Sequence, residues 1–320
     1  MITRRSLLAS SALATLPAGF AFADEYPSKT IRILVSTGAG TATDATARYA
    51  ASQLTKMWNQ PVVVENVTGA GGVIATTQVF RAPADGYTLL FTYASHYSNQ
   101  WTTKTPYDAV NDFEPVARMA STALVLAVKP DSPFKTARDV IAAAKKAPGT
   151  LTYGTAGPGT TGHMAGALFA SIAGIELKHV PYKTPGAAAV DAASGVLDMC
   201  FNGPASVMPL VQGGRLRIVA QTGTKRMSSM PDVPTMVEAG LPGYENSSPV
   251  WMFAVKGTPQ PILAKLSDAL VRIGNTPEFR DAVAKAGLEV DVAGMAQSKA
   301  AGPAELEKWK RMTALTASKD

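Results

Sequence analysis

Short runs of β-branched and apolar residues alternate along this chain with longer segments of helical periodicity. The first strands predicted in this way are Ile31–Val35, Val62–Glu65 and Thr88–Tyr93, and helical patterns over 42–58 and 73–81 separate them. Such an alternation is typical of a mostly parallel sheet with helices on its faces. It therefore predicts a fold of the α/β class.

The alternation continues through the rest of the chain. After an apolar run from Val116 to Val128, the predicted segments are helices at 137–146 and 162–173, strands at 152–155, 177–180, 199–202 and 217–221, and helices at 261–274, 277–286 and 303–316. A chain of 320 residues is long enough to form about two domains, each with its own core.

Two extended apolar segments indicate where such domains would join. Leu124–Pro130 and Val250–Gly257 each contain Val-Lys followed by a residue that turns the chain. If the chain crosses between lobes at both, residues 24–126 and 250–320 form one lobe and 127–249 the other, with a two-strand hinge. The alternative is that both segments are core strands of one sheet, and periodicity alone does not decide between the two.

Residues 1–23 have the pattern of a signal peptide. The basic pair Arg4-Arg5 precedes an apolar stretch rich in Ala and Leu, and Ala21 and Ala23 are the small residues that define a cleavage site. We expect cleavage after Ala23 and a mature protein outside the cytoplasm. The arginine pair fits either the general secretory route or the twin-arginine route, and both lead to the same compartment.

Charge and metal-ligating residues exclude several classes of function. The formal net charge is +6, but no run of five basic residues occurs, so we expect no nucleic-acid partner. The single cysteine, Cys200, lies in an apolar run and is expected to be buried and inert. His96, His163 and His179 lack the spacing of a metal motif, and we expect neither a metal nor a cofactor.

Three glycine-rich loops each follow a predicted strand and precede a helix. They are Ser36–Thr41, Thr68–Gly72 and Thr155–Gly162. Ligands of open α/β sheets collect at this edge, where helix N-termini present free N–H groups and a partial positive charge. Each loop alone could be a capping turn, but three together favour a binding site for an anion.

Signatures of common enzymes are absent or incomplete. Gly157–Gly162 spells G-x-G-x-x-G, but the acidic residue that a dinucleotide site needs about 20 positions later is missing. Ser95 and His96 would point to opposite faces of a strand, and helix capping explains the hydroxyl of Thr161 near His163. We therefore expect no enzymatic activity, with a secreted hydrolase as an alternative.

Several longer motifs of the chain resemble one bacterial family, the substrate-binding receptors of tripartite tricarboxylate transporters, also called Bug receptors. The similarity extends from Tyr26 to about Trp309. Its most specific segments are Val64–Asn66 with Gly69–Gly72, Pro83–Leu90, Tyr107-Asp108 with Asp112-Phe113, His179–Lys183, Gly213–Arg217, Lys225-Arg226, Pro231–Thr235 with Glu238–Gly240, and Gly257–Pro259.

The resemblance implies a two-lobed periplasmic binding protein fold of type II, with two strands as the hinge. It implies a receptor that closes on a small carboxylate, either a di- or tricarboxylate or an aromatic carboxylate, and delivers it to the membrane subunits of a transporter. We expect a monomer. A protein that retains this fold but presents its ligand to a sensor kinase is a further alternative.

The resemblance also implies which residues bind the ligand. Those of the first loop are Ser36, Thr37, Gly38, Ala39, Gly40 and Thr41 with Asp44, and those of the second are Thr155, Ala156, Gly157, Gly159, Thr160 and Thr161 with His163. The remaining candidates are Gly71, Tyr93, Ser95 and Asn202. For Asp44 the alternative is an acid that complements the helix dipole, and for His163 a residue that orients its loop.

Two departures from the family pattern bear on the ligand. Many relatives have aromatic or apolar residues followed by Gly-Gly where this chain has Ser36–Thr41. Asn202 stands where relatives often have Asp, which removes a partner for an amino group and so disfavours amino acids. An aromatic carboxylate would suit a wall of aromatic side chains, and the candidates for it are Tyr93, Tyr97, Phe201 and Trp251. Buried aromatic side chains are, however, more often part of the core.

Overall fold

The computed structural model describes residues 26–317, so the predicted signal peptide and its cleavage site lie outside the described residues. The first of two sheets has six strands, in the order β11-β4-β10-β3-β1-β2. They are β1 (Ile31–Val35), β2 (Val62–Asn66), β3 (Thr88–Thr92), β4 (Phe113–Ala123), β10 (Ser247–Val255) and β11 (Glu289–Gly294). Strands β1, β2 and β3 are parallel, and β10 runs antiparallel between β3 and β4.

The second sheet has five strands, in the order β7-β6-β8-β5-β9. They are β5 (Val125–Val128), β6 (Thr152–Thr155), β7 (Lys178–Pro181), β8 (Met199–Asn202) and β9 (Arg217–Gln221). Strand β6 is parallel to both β7 and β8, whereas β5 is antiparallel to its neighbours. The α/β class predicted from the alternation is confirmed.

Ten α-helices of the described residues surround the two sheets. They are α1 (Ala42–Trp58), α2 (Val73–Phe80), α3 (Ser95–Thr102), α4 (Ala137–Lys146), α5 (Thr161–Ala173), α6 (Pro185–Ser194), α7 (Pro204–Gln212), α8 (Gln260–Gly274), α9 (Pro277–Lys285) and α10 (Met295–Ala317), with a 3₁₀ turn at Ala70–Gly72. Within residues 26–317, none of these helices has the length and apolarity needed to cross a bilayer.

The apolar run from Val116 to Val128 is divided between the two sheets. At Leu124 the chain leaves the first sheet: its N–H donates to Thr222 Oγ1 at 2.8 Å, and its carbonyl accepts from Thr222 N at 2.9 Å. The chain returns after Gln221, and β10 pairs with β4 from Ser247 onward. Apolar composition alone does not reveal such a change of sheet.

Several other elements differ from the prediction. Helices α3, α6 and α7 and strand β11 were not predicted. The last helix was predicted to start at Pro303, since proline favours the first turn of a helix. It begins at Met295 instead and contains Pro303.

Helix α10 packs against α3, next to the first sheet, and against α5, next to the second. Trp309 on its second half is only 2% exposed. Leu315, near its end, lies beside Ala144 of α4 and Ala170 of α5. Helix α10 therefore contacts helices that lie next to each of the two sheets. This contact links the sheets in addition to the two points where the main chain crosses between them.

A buried carboxylate on β4 predicts acid-sensitive stability. Glu114 is 5% exposed and accepts hydrogen bonds from Lys256 Nζ at 2.6 Å and Lys299 Nζ at 3.1 Å. Burial acts to raise the pKa of Glu114, but the two lysines outweigh it and lower the pKa below its usual value. The stabilisation is thus fully present above the ordinary pKa of about 4.3 and is lost as pH falls through the lower, folded-state pKa.

Glu114→Gln is expected to reduce the free energy of unfolding at pH 7 by about 1–2 kcal/mol, because the lysine ends are half-exposed and weaken the pair. Between pH 5 and pH 3, the free energy of unfolding of the variant should decline less than that of the unmodified protein. Urea unfolding across this range measures both effects. The exposed Glu307, changed to Gln, is the control, and an equal loss in both variants would contradict the account.

Candidate ligand-binding site

The first glycine-rich loop connects β1 to α1 and is held by its own side chains. Thr41 caps α1: its Oγ1 donates to Gly38 O at 2.8 Å and accepts from Asp44 N at 3.3 Å. Thr37 Oγ1 lies 2.8 Å from the same hydroxyl. Most hydroxyl groups of this loop are therefore already used within it.

Two further contacts of the first loop are with neighbouring strands. Ser36 Oγ lies 2.7 Å from Thr92 Oγ1, at the end of β3. Asp44 is 3% exposed and accepts from Gly40 N at 2.9 Å, from Arg48 Nε at 3.0 Å and from Asn66 Nδ2 at 2.8 Å. Burial acts to raise the pKa of Asp44, but these hydrogen bonds outweigh it and lower the pKa. The contacts favour a loop-supporting role for Asp44.

The second loop, between β6 and α5, is held in a similar way. Thr155 Oγ1 accepts from Gly157 N at 3.2 Å and lies 2.7 Å from His179 Nε2. Thr160 caps α5, with its Oγ1 donating to Gly157 O at 2.7 Å. The hydroxyl groups of Thr155 and Thr160 are therefore engaged within the protein.

His163 supports this loop, and Asn202 is buried at the end of β8. His163 is 2% exposed, its Nδ1 accepts from Gly159 N at 3.2 Å, and its ring stacks on His179 with 4.0 Å between ring centroids. Asn202 is 3% exposed, and its Nδ2 donates to Pro185 O at 2.9 Å.

A cavity of about 370 Å³ opens between the N-terminus of α3, the 3₁₀ turn and the N-terminus of α5. Its volume lies within the range of about 300–1,000 Å³ that is typical of small-molecule sites. Six of the predicted site residues line it: Gly71, Tyr93, Ser95, Gly159, Thr160 and Thr161. The structure thus brings parts of two predicted loops, separated widely in sequence, to one cavity.

The other predicted residues are not among those that line this cavity, and several lie just behind it. The predicted residues that do not line the cavity are Ser36–Thr41, Asp44, Thr155, Ala156, Gly157, His163 and Asn202. Ser36 lies directly behind the 3₁₀ turn, where a Cβ atom on Gly72 would be 3.0 Å from Ser36 Cβ. The first loop therefore supports the cavity from behind.

Sequence reasoning missed much of the lining. Ala70 and Pro158 lie in two of the predicted loops but were not named as ligand-binding residues, and the others that were missed are Ala94, Ser98, Asn99, Thr102, Thr103, Met164 and Trp309. Asn99 Nδ2 donates to Gly71 O at 3.1 Å and so fixes the turn beside the cavity. For the residues that follow Tyr93, the sequence signal was a concentration of polar side chains. Using that signal required the recognition of helix α3.

The cavity has an unusual electrostatic character. Among the described residues that line it, none carries a charged side chain. Helices α3 and α5 both begin at its wall, and each N-terminus carries about half a positive charge. The N–H group of Thr161, which lines the cavity in the first turn of α5, has no acceptor within the helix. The cavity can therefore receive an anion without a cationic side chain.

Ser95 supplies the most direct evidence for a ligand. Ser95 lines the cavity, and its buried Oγ has no hydrogen-bond partner among the described residues. A buried hydroxyl without a hydrogen-bond partner is unfavourable, so a ligand atom is expected to form a hydrogen bond with it.

Ser95 and His96 do not form a catalytic pair. The ring of His96 is 1% exposed, stacks on Phe253 at 4.3 Å between centroids, and places Nε2 2.8 Å from Ala109 O. Burial lowers the pKa of His96 to about 4. This histidine is a neutral part of the core.

Other predicted features also belong to the core. Phe201 and Trp251 are fully buried and do not line the cavity, whereas Tyr93 and Trp309 do. Cys200 is buried, and burial raises the pKa of its thiol to about 12, as expected for an inert cysteine.

A second cavity of about 330 Å³ lies where β4 and β10 pair near the crossings between the sheets. Its lining includes Arg118, Lys225 and Arg226 as well as carboxylates. Arg118 is paired with Asp291 at 2.8 Å, and Arg226 with Glu238 at 2.9 Å. The mixed and paired charges favour the first cavity as the anion site.

Two α/β sheets with a small-molecule cavity between helix N-termini define the class of type II periplasmic solute-binding proteins, and solved structures of that class match the chain. A periplasmic binding protein, BugD, has a TM-score of 0.72 and 29% identity over 91% of this chain and 99% of its own. The chain belongs to the tripartite tricarboxylate transporter receptor family, whose model matches residues 46–315. The predicted family and fold are confirmed, and receptors of this family are not enzymes.

Other relatives cover nearly the same length. A protein of Cupriavidus necator, described as a UPF0065 protein in the gbd 5′ region, is 36% identical over 90% of this chain and 88% of its own. The structure of R. palustris Rpa4515 with adipate has a TM-score of 0.76 and 29% identity over 91% of this chain and 98% of its own. MatC of Rhodopseudomonas palustris with bound malate has a TM-score of 0.71 and 27% identity over 90% of this chain and all of its own.

Proposed function

We propose that this periplasmic receptor captures a small carboxylate in the cavity between α3 and α5 and delivers it to the membrane subunits of a tripartite tricarboxylate transporter. One observation carries the proposal: the cavity combines two helix N-termini and the unpartnered Ser95 hydroxyl with an uncharged lining. The adipate-bound and malate-bound relatives support a dicarboxylate, with tricarboxylates and aromatic carboxylates as the other members of the class.

Different residues of the cavity bind the charged and the apolar parts of the ligand. One carboxylate group accepts from Thr161 N and Ser95 Oγ, while Met164 and Trp309 contact the apolar part of the ligand. The first loop, Ser36–Thr41, and the second loop, Thr155–Thr161, hold these groups in place. Because the field comes from helix N-termini in a partly closed cavity, added salt should weaken binding only slightly.

Replacing Ser95 with alanine is expected to weaken ligand binding by about 10- to 100-fold. The reason is that a hydrogen bond to a charged group contributes about 1.5–3 kcal/mol. Calorimetric titration with the dicarboxylate that binds the unmodified protein measures the change. Ser171→Ala, at an exposed position of α5, is the matched control. Equal affinity in the two variants would place the ligand elsewhere.

We further propose that residues 24–126 with 250–320 form one lobe and 127–249 the other, and that they close on the ligand. Helix α10 belongs to the first lobe in this division but also packs against α5 of the second, so closure would change this contact. Small-angle scattering should show a smaller radius of gyration with saturating dicarboxylate than without it. An unchanged radius, with binding proven by calorimetry, would reject the closing motion.

The experiment for the function itself combines binding and turnover. Native mass spectrometry of the gently purified protein should show a retained small carboxylate, and titration with adipate and malate should show saturable binding. Recovery of the carboxylate unchanged would separate a receptor from the alternative of a hydrolase. A retained compound without a carboxylate, or no binding of any carboxylate, would contradict the proposal.

Export and assembly complete the proposed function. We propose that residues 1–23 direct export by the general secretory or twin-arginine route and are removed after Ala23. The mature receptor would act as a monomer on its transporter. A ligand-sensing role with a sensor kinase is kept as the alternative, and loss of carboxylate uptake on deletion of the protein would favour transport.

A further inference from the structure

The two loops of the site share one spacing of residues, although they belong to different sheets. The first is Gly38-x-Gly40-Thr41-x-x-Asp44, and the second is Gly157-x-Gly159-Thr160-x-x-His163. In each, the second glycine has a positive φ, +79° at Gly40 and +71° at Gly159, which favours glycine over other residues.

The hydrogen bonds of the first loop form a closed set. Thr41 Oγ1 donates to Gly38 O at 2.8 Å and accepts from Asp44 N at 3.3 Å. The side chain of Asp44 then accepts from Gly40 N at 2.9 Å. A carboxylate is suited to this position because both of its oxygens accept hydrogen bonds.

The second loop repeats each of these bonds. Thr160 Oγ1 donates to Gly157 O at 2.7 Å and accepts from His163 N at 3.4 Å. His163 Nδ1 accepts from Gly159 N at 3.2 Å. His163 therefore occupies the position and takes the role that Asp44 has in the first loop.

Histidine can accept at Nδ1 only when that nitrogen carries a lone pair. We propose that His163 is a positioning residue, held as the neutral imidazole with its proton on Nε2, whose Nδ1 fixes Gly159 and thereby the cavity wall formed by Gly159 and Thr160. The stack with His179, at 4.0 Å and 12° between the rings, holds the ring in this orientation. His179 in turn contacts Thr155 through Nε2.

The difference between the two loops has a physical reason. The charge of Asp44 is balanced by Arg48, four residues later in α1. The corresponding position after His163 is Ala167, so a carboxylate in place of His163 would be a buried, unbalanced negative charge behind an anion site. A neutral acceptor holds the same loop without repelling the ligand.

The role of this loop in binding rests on the proposed function, but the protonation state does not. In ¹⁵N-histidine-labelled, ligand-free protein at pH 7, the NMR spectrum should show His163 with an unprotonated Nδ1 and a protonated Nε2. The signals are assigned by their loss in His163→Asn. A proton on Nδ1 would overturn the inference, whether or not any carboxylate binds.

Two substitutions test the positioning role. In His163→Asn the amide oxygen reaches the place of Nδ1, so affinity for adipate or malate should stay within about threefold, while His163→Gln extends past it and should lose about 10-fold. Thermal unfolding of both variants shows whether they fold. Equal affinities of the two folded variants would overturn the role. If the glutamine variant does not fold, the proposal is tested by the protonation state of His163 in the NMR spectrum of the unmodified protein.

Discussion

Replacing Trp251 with alanine is expected to lower the free energy of unfolding by about 3–5 kcal/mol. Trp251 is fully buried on β10, between β3 and β4 in the first sheet. Its ring stacks on Phe253 at 5.8 Å and meets Tyr97 edge-on at 6.1 Å between centroids. Alanine would leave a large cavity at the centre of this sheet.

Urea unfolding at pH 7 measures the loss. Trp101→Ala is the control, since Trp101 is 38% exposed and its removal should change stability by no more than about 0.5 kcal/mol. A similar small effect at Trp251 would show that this side chain is not part of the core.

Replacing Gly162 with alanine is expected to affect both stability and binding. A Cβ atom at this position would lie 2.6 Å from Phe201 O, a backbone atom of β8 that cannot move aside easily. The overpacking should reduce the free energy of unfolding by about 1–3 kcal/mol. It should also displace the N-terminus of α5, including the N–H donor of Thr161, and so weaken ligand binding by more than about 100-fold.

Gly186→Ala provides a matched control on α6. No atom lies within 4 Å of a Cβ placed there, and the position is helical, so alanine should leave binding unchanged and stabilise the protein slightly. Calorimetry and urea unfolding on both variants make the comparison. Unchanged binding in folded Gly162→Ala would mean that the N-terminus of α5 is not part of the site.

The sequence predicted the α/β class, the two loops at strand ends and part of the cavity because each depends on local pattern. The spacing from Gly157 to Gly162, for example, placed a loop before a helix, and the structure has α5 starting at Thr161. Long-range features were not predictable in this way. The stack of His163 on His179 and the approach of Trp309 to the cavity depend on how distant segments pack.

Helix α3 shows why a functional element can escape pattern analysis. Its buried side includes His96, Ser98 and Asn99, so it lacks the apolar periodicity by which helices are recognised. These polar residues are buried because they face other polar groups, such as Gly71 O and Ala109 O. The role of Asp44 was likewise open until Arg48 and Asn66 were seen to bind it.

The most direct test of the proposed receptor function is a crystal structure of the protein with the carboxylate identified by mass spectrometry or titration. We predict a carboxylate group within hydrogen-bond distance of Thr161 N and Ser95 Oγ, with the rest of the ligand against Met164 and Trp309. A ligand bound instead in the charged cavity beside Arg118, or anywhere outside the space between α3 and α5, would contradict this account.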